Sequence, residues 1–277
     1  GKKYPAGSIV FKSAQAFRPH LLDMFEPQNH PNDFKYAGGP PIAPYDSAGW
    51  TLAYLMGVQF DRILDDFTGP FEKVNGFIEM PAGKVTGSGA AGYILSHKVN
   101  DSFKAINKLM AAGEDVYWLK GGGGFDAGTI YVPAKAKTAA NVATIAKAAA
   151  VTFTTAASKP SGEALKLKPI RIGLWDNVGG SMPSGWTRWL FEQFQFPYEV
   201  VYPPTLDQGE LRSKFDVLVF VTGGIAERSR FGGGPVGAGD AASNLLPEWR
   251  DRQGRVTRDK TVPQLKKFLE SGGTVLT

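Results

Sequence analysis

Pro169-Ile-Arg-Ile-Gly-Leu-Trp175, Asp176-Asn-Val-Gly-Gly-Ser-Met-Pro-Ser-Gly185 and Trp186-Thr-Arg-Trp-Leu-Phe-Glu-Gln-Phe194 follow one another without interruption, and their reading sets the fold. Ile170 to Trp175 has the length and apolar content of a buried parallel strand. Trp186, Trp189, Leu190 and Phe194 fall at i, i+3, i+4 and i+8, which predicts one helical stripe facing a core, with Arg188, Glu192, Gln193 and Gln195 on the other side. A second apolar run, Tyr198 to Tyr202, completes a βαβ unit, whose crossover is almost always right-handed. Working outward, Asp207 and Glu210 have capping-box spacing before a short helix, and Val217 to Val221 reads as a third parallel strand. Thr261 and Gln264 are placed to cap a helix carrying Leu265, Phe268 and Leu269. Gly272-Gly273 end it, and Thr274-Val-Leu-Thr277 begins a further strand.

Upstream, Tyr93-Ile-Leu-Ser96 reads as a strand, Asp101 as an N-cap, and Phe103, Ile106, Leu109 and Met110 as the stripe of a helix closed by Gly113. Val116 to Leu119, the Gly121-Gly-Gly-Gly124 run, Thr129 to Val132, an alanine-rich helix buried through Val142, Ile145, Ala146 and Ala149, and a strand at Val151 to Thr155 follow. This alternation predicts a small βαβ unit over 85–156. Residues 157–168, with Pro160, Gly162 and three lysines, read as a linker. Residues 1–84 read as a packed connector, with a strand at Gly7 to Phe11, a helix at Phe17 to Phe25, and a helix at Ser47 to Met56 capped by Asp46 and stopped by Gly57. Within 225–260 only a short helical turn near Trp249 stands out. The arginines at 250, 252, 255 and 258 alternate with acids, so a solvated loop or a docking patch both fit.

Composition narrows the classes of function. The 277 residues are 43% hydrophobic and 21% charged, near globular averages, and no apolar run reaches the ~20 residues of a membrane helix. The formal charge, 31 − 26 = +5, is scattered along the chain, which argues against nucleic-acid binding. The absence of cysteine removes disulfides, thiolate metal sites and a cysteine nucleophile from this chain.

Four blocks carry a family resemblance: Ser13 to Gln28 (SAQAFRPHLLDMFEPQ), Pro44 to Gly57 (PYDSAGWTLAYLMG), Asn100 to Leu109 (NDSFKAINKL) and Gly173 to Tyr202. Together they resemble the part of large bacterial zinc carboxypeptidases that follows the catalytic domain, a part that ends in a class I glutamine amidotransferase-like domain. The resemblance implies an α/β chain in which residues 169–277 form a doubly wound, flavodoxin-like parallel sheet cut short at its C-terminal end. It also implies a parent protein, exported to the periplasm or beyond, that hydrolyses peptides at a zinc centre. Its partners would be its own upstream peptidase domain and the parent's peptide substrate.

Residues of this chain limit what transfers. The family's His-x-x-Glu zinc pair is absent; the three histidines give only His20-Leu-Leu-Asp23, His30-Pro-Asn-Asp33 and an isolated His97. Zinc is therefore expected upstream of Gly1, with no metal or cofactor held here. The amidotransferase likeness implies a fold without an activity, because the nucleophilic cysteine is missing. The candidate ligand site is the crevice past the carboxyl ends of the parallel strands. There Asp176, Asn177, Ser181 and Ser184 face Gly223 and Gly224, either as a pocket for a small molecule or as a turn with capping serines.

Overall fold

A computed structural model describes residues 2–27, 31–43, 51–221 and 246–277. The chain divides into two units, Gly1–Gly76 and Phe77–Thr277.

In the first unit, α1 (Arg18–Phe25) and α2 (Leu52–Leu55) pack together. Thr51 donates its hydroxyl to the Glu26 carbonyl at 2.8 Å, and the Phe60 ring sits 5.2 Å from Phe25 and 5.4 Å from Tyr54. The described side chains of this unit that are buried are Thr51 and Ala53 alone. The expected helix at 17–25 is present, whereas Gly7 to Phe11 forms no strand. Asp46 and the start of the second expected helix lie outside the described residues, and Gly57 follows the helix with φ +65°.

The second unit opens with β1 (Lys84–Thr86), β2 (Gly92–Leu95), α3 (Asp101–Ala111), β3 (Tyr117–Leu119), β4 (Ile130–Pro133), α4 (Thr138–Ala149), β5 (Thr152–Ala156) and β6 (Ala164–Lys166). These strands form one mixed sheet in the order β1-β5-β2-β4-β3-β6. Only β1 and β5 run parallel; every other pair is antiparallel. The expected small βαβ unit is present in split form. The strand returning from α3 does not pair with β2, because β4 is inserted between β2 and β3. Leu95, Leu109, Val116, Val132, Val142, Ala146 and Phe153 form the core between this sheet and its two helices. Glu114, buried just after α3, accepts hydrogen bonds from Thr138 Oγ1 at 2.6 Å and Asn141 Nδ2 at 2.7 Å, placing a carboxylate at the N-terminus of α4. The stretch expected to be a linker contributes β6, which pairs with β3 from Tyr117↔Lys166 to Leu119↔Ala164. The N-cap of α3 is Asn100, with Asp101 its first residue.

Then follow β7 (Ile172–Trp175), α5 (Met182–Phe194), β8 (Tyr198–Val201), α6 (Pro203–Asp207), α7 (Leu211–Lys214), β9 (Val217–Val219), α8 (Pro247–Arg250), α9 (Thr261–Glu270) and β10 (Thr274–Leu276). The four strands are parallel in the order β10-β9-β7-β8. On one face Val201, Leu206, Leu211, Phe215, Leu218, Leu265 and Phe268 close over the sheet. Gly173 is required beneath them, since a Cβ there would lie 2.7 Å from Leu218 Cδ2 and 2.9 Å from Val201 Cγ2. Asp207 closes α6 instead of capping a helix. Its Oδ1 accepts from Thr261 Oγ1 at 2.6 Å, which pins α9 to α6 in place of the expected capping box.

On the other face α5 is turned from the orientation its apolar spacing predicts. Ser184 is fully buried and Thr187 and Phe191 are partly buried, while Trp186 is 62% and Trp189 50% exposed. At 100° per residue Ser184, Thr187 and Phe191 share the face opposite the tryptophans. That face meets a polar group on the sheet, Asp176, and the Tyr198 ring, whose centroid is 5.4 Å from that of Phe191. The C-terminal end of α5 leans on α3, where Asn107 Nδ2 donates to the Phe194 carbonyl at 2.9 Å.

Candidate functional site

Parallel order creates the crevice. The chain leaves β7 toward β8 on one side and later returns to β9 on the other, so the strand order reverses between β7 and β9, the place where open parallel sheets form a crevice. Trp175 and Phe220 line the carboxyl ends of β7 and β9 and stack at 6.1 Å with an interplanar angle of 23°. Nearby, the Arg252 guanidinium lies 4.7 Å from the Trp249 ring and 5.5 Å from that of Tyr202, which follows β8.

Four of the six expected site residues come together here. Asp176 is 2% exposed; its Oδ2 accepts the Ser184 hydroxyl at 2.7 Å and its Oδ1 accepts the Asn177 amide at 2.9 Å. Ser181 is the N-cap of α5, its Oγ accepting the Ser184 amide at 3.2 Å. The loop closes through Gly180 N–H to the Asn177 carbonyl at 2.9 Å, with φ +96° at Gly179 and +71° at Gly180. Gly223 and Gly224 lie outside the described residues. Arg188, exposed as the sequence reading expects, adds positive charge beside this network. It hydrogen-bonds Tyr198, which raises its pKa, and lies within the field of Asp176.

This arrangement organises a loop. Ser184 Oγ is buried with its proton committed to a carboxylate, and residues 169–277 contain neither histidine nor cysteine to act as base or alternative nucleophile. Among the described residues no group of three His, Asp or Glu side chains converges to hold a metal ion. His20 is exposed, while His97 is partly buried with Nδ1 unpartnered. Among the described residues no helix is long and apolar enough to cross a membrane.

No family model, curated protein or solved structure matches this chain. The sequence reading missed one concavity, which lies on the six-stranded sheet beside Gly121 to Gly124. Its only advance signal was the glycine run itself.

Proposed function

We propose that this chain is a non-catalytic accessory region of a zinc-dependent, carboxypeptidase-like hydrolase, with its parallel sheet a flavodoxin-like, amidotransferase-like module. One observation carries the reading. The first unit exposes large apolar side chains along its length, among them Phe17, Leu64 and Phe71 at 73%, 82% and 58%, as a segment does when it is built to pack on another folded body. In this proposal that body is the peptidase domain of an exported parent, and the chain's role is to support or gate it. The strand order, second-first-third-fourth, supports the flavodoxin-like assignment, and the buried Ser184–Asp176 pair supports a fold without acyl-transfer chemistry.

The test compares the 277-residue chain with the longest protein encoded by its reading frame. Zinc content and hydrolysis of a blocked dipeptide are measured for both, together with hydrogen exchange over residues 2–76. The expected result is zinc and cleavage in the longer protein only, with exchange in 2–76 slowed there. Metal-dependent cleavage by the 277-residue chain itself, or unchanged exchange, counts against the proposal.

A second reading, a small-molecule module at the crevice, is favoured by Trp175 Nε1, a buried donor without a partner among the described residues, beside the stacked Phe220. Native mass spectrometry of the purified chain tests it: a retained adduct lost in Trp175→Phe supports it, and a bare mass at every concentration opposes it.

A further inference from the structure

The face of the six-stranded sheet away from α3 and α4 carries a cross-strand row. Thr86, Thr154, Ile94, Tyr131, Tyr117 and Lys166 are paired in sequence across all six strands. Near the middle of this row the sheet floors a hollow of about 600 Å³, open to solvent. Ile94 and Thr154 form the floor, Phe125 one wall, and Ser158, Lys159 and Ser161 the other.

The walls are held together through glycine. Gly121 to Gly124 all have positive φ, and a Cβ on Gly123 would stand 2.6 Å from Ser161 Oγ, so the loop before β4 and the loop after β5 touch directly. Such contact gives the hollow a defined rim at a place where longer side chains would force the loops apart.

Its charge is one-sided. The acids closest in sequence are engaged elsewhere, Asp126 with Lys98 at 2.8 Å and Glu163 with Lys120 at 2.9 Å. No carboxylate lines the hollow, and Lys159 forms no ion pair among the described residues. An aromatic and an aliphatic surface thus stand beside hydroxyls and one ammonium. A bound molecule carrying its own ammonium would find no counter-charge, whereas a single anionic group attached to an apolar body is complementary at both ends.

We infer that this hollow is a binding site for a small organic monoanion, with the anionic group on Lys159 and the Ser158 and Ser161 hydroxyls and the apolar body between Ile94 and Phe125. The site is separate from the crevice of the parallel sheet and does not depend on the carboxypeptidase-like reading.

The probe is benzoate, set against its neutral and cationic counterparts benzamide and benzylamine, titrated into the whole 277-residue chain and followed by amide NMR shifts. Benzoate is expected to move the resonances of Phe125 and of residues 154–161 saturably, with a dissociation constant of roughly 1–10 mM for so small a ligand. Benzamide binds about tenfold more weakly and benzylamine does not bind. Lys159→Met removes most of the benzoate affinity with the melting temperature unchanged, Lys159→Arg retains it, and Thr154→Trp, which fills the floor, abolishes it. Equal binding of all three probes, undiminished binding by Lys159→Met, or no shift in these residues with benzoate overturns the inference.

Discussion

Arg171 and Asp216 join the entry of β7 to the entry of β9: the Arg171 amide and Nε reach Asp216 Oδ2 at 2.9 and 3.0 Å, and Nη2 reaches Oδ1 at 2.9 Å. The side-chain bonds from Arg171, then its amide, with Arg212 adding to them, hold the Asp216 carboxyl well below the usual carboxylate range. Because the folded-state pKa is lowered, the stabilisation is complete above the ordinary value of 3.8 and is lost as pH falls below it toward the folded value. Asp216→Asn is expected to lower the melting temperature at pH 7 by several degrees, and the variant and parent curves should converge as pH drops below 4. A constant gap between the two at every pH would contradict this origin.

A similar clamp holds the edge strand β6. Asp115 accepts ion pairs from Lys135 at 2.8 Å and Lys166 at 2.6 Å, and these bonds lower its pKa from 3.8 to about 2. The double variant Lys135→Met, Lys166→Met should return Asp115 toward 3.8 in a carboxyl NMR titration. Stability contributed by the clamp is present above 3.8 and fades as pH falls toward about 2.

Removing Asp176 leaves the buried Ser184 hydroxyl and the Asn177 amide without their acceptor, which predicts a loss of about 1–3 kcal/mol for Asp176→Ala in urea unfolding. Combining it with Ser184→Ala should cost less than the sum of the two single changes, because they share one bond. Strict additivity would show that the pair does not form in solution.

Tryptophans on α5 give an inverted expectation. Trp186→Ser and Trp189→Ser should each change stability by no more than about 0.5 kcal/mol, as exposed positions do. Phe268→Ala, at a site 1% exposed, should cost about 3–5 kcal/mol. Large losses at the tryptophans would restore the orientation that their spacing first suggested.

The strands of the parallel sheet were legible because Ile172–Trp175 and Val217–Val219 are short apolar runs bounded by polar residues, and the helices α3, α4 and α9 because their apolar positions keep helical phase. The facing of α5 was not legible. Its buried side is built on Ser184, whose partner Asp176 is brought near only by the fold, so apolar spacing pointed outward. Direction of pairing was hidden for another reason. Strand–helix–strand alternation is the same in sequence whether the returning strand lands beside β2 or one place further on, and β4 occupies the neighbouring place. At the crevice, proximity in sequence sufficed to group Asp176, Asn177, Ser181 and Ser184. The hollow beside Phe125 draws on β2, β5 and two loops far apart in the chain, which no local motif could assemble.

The pairing of Ala164–Lys166 with β3 also decides where the protein can be cut. A break between 168 and 169 passes through the short joint before β7 and leaves both sheets whole. A break at 157 strips the outermost strand from the first sheet, leaving Tyr117, Trp118 and Leu119 as a bare apolar margin whose amides and carbonyls are open to a strand from a neighbouring molecule. Trimmed there, the piece would trade a folded border for a self-adhesive one, and its fate on storage would be aggregation.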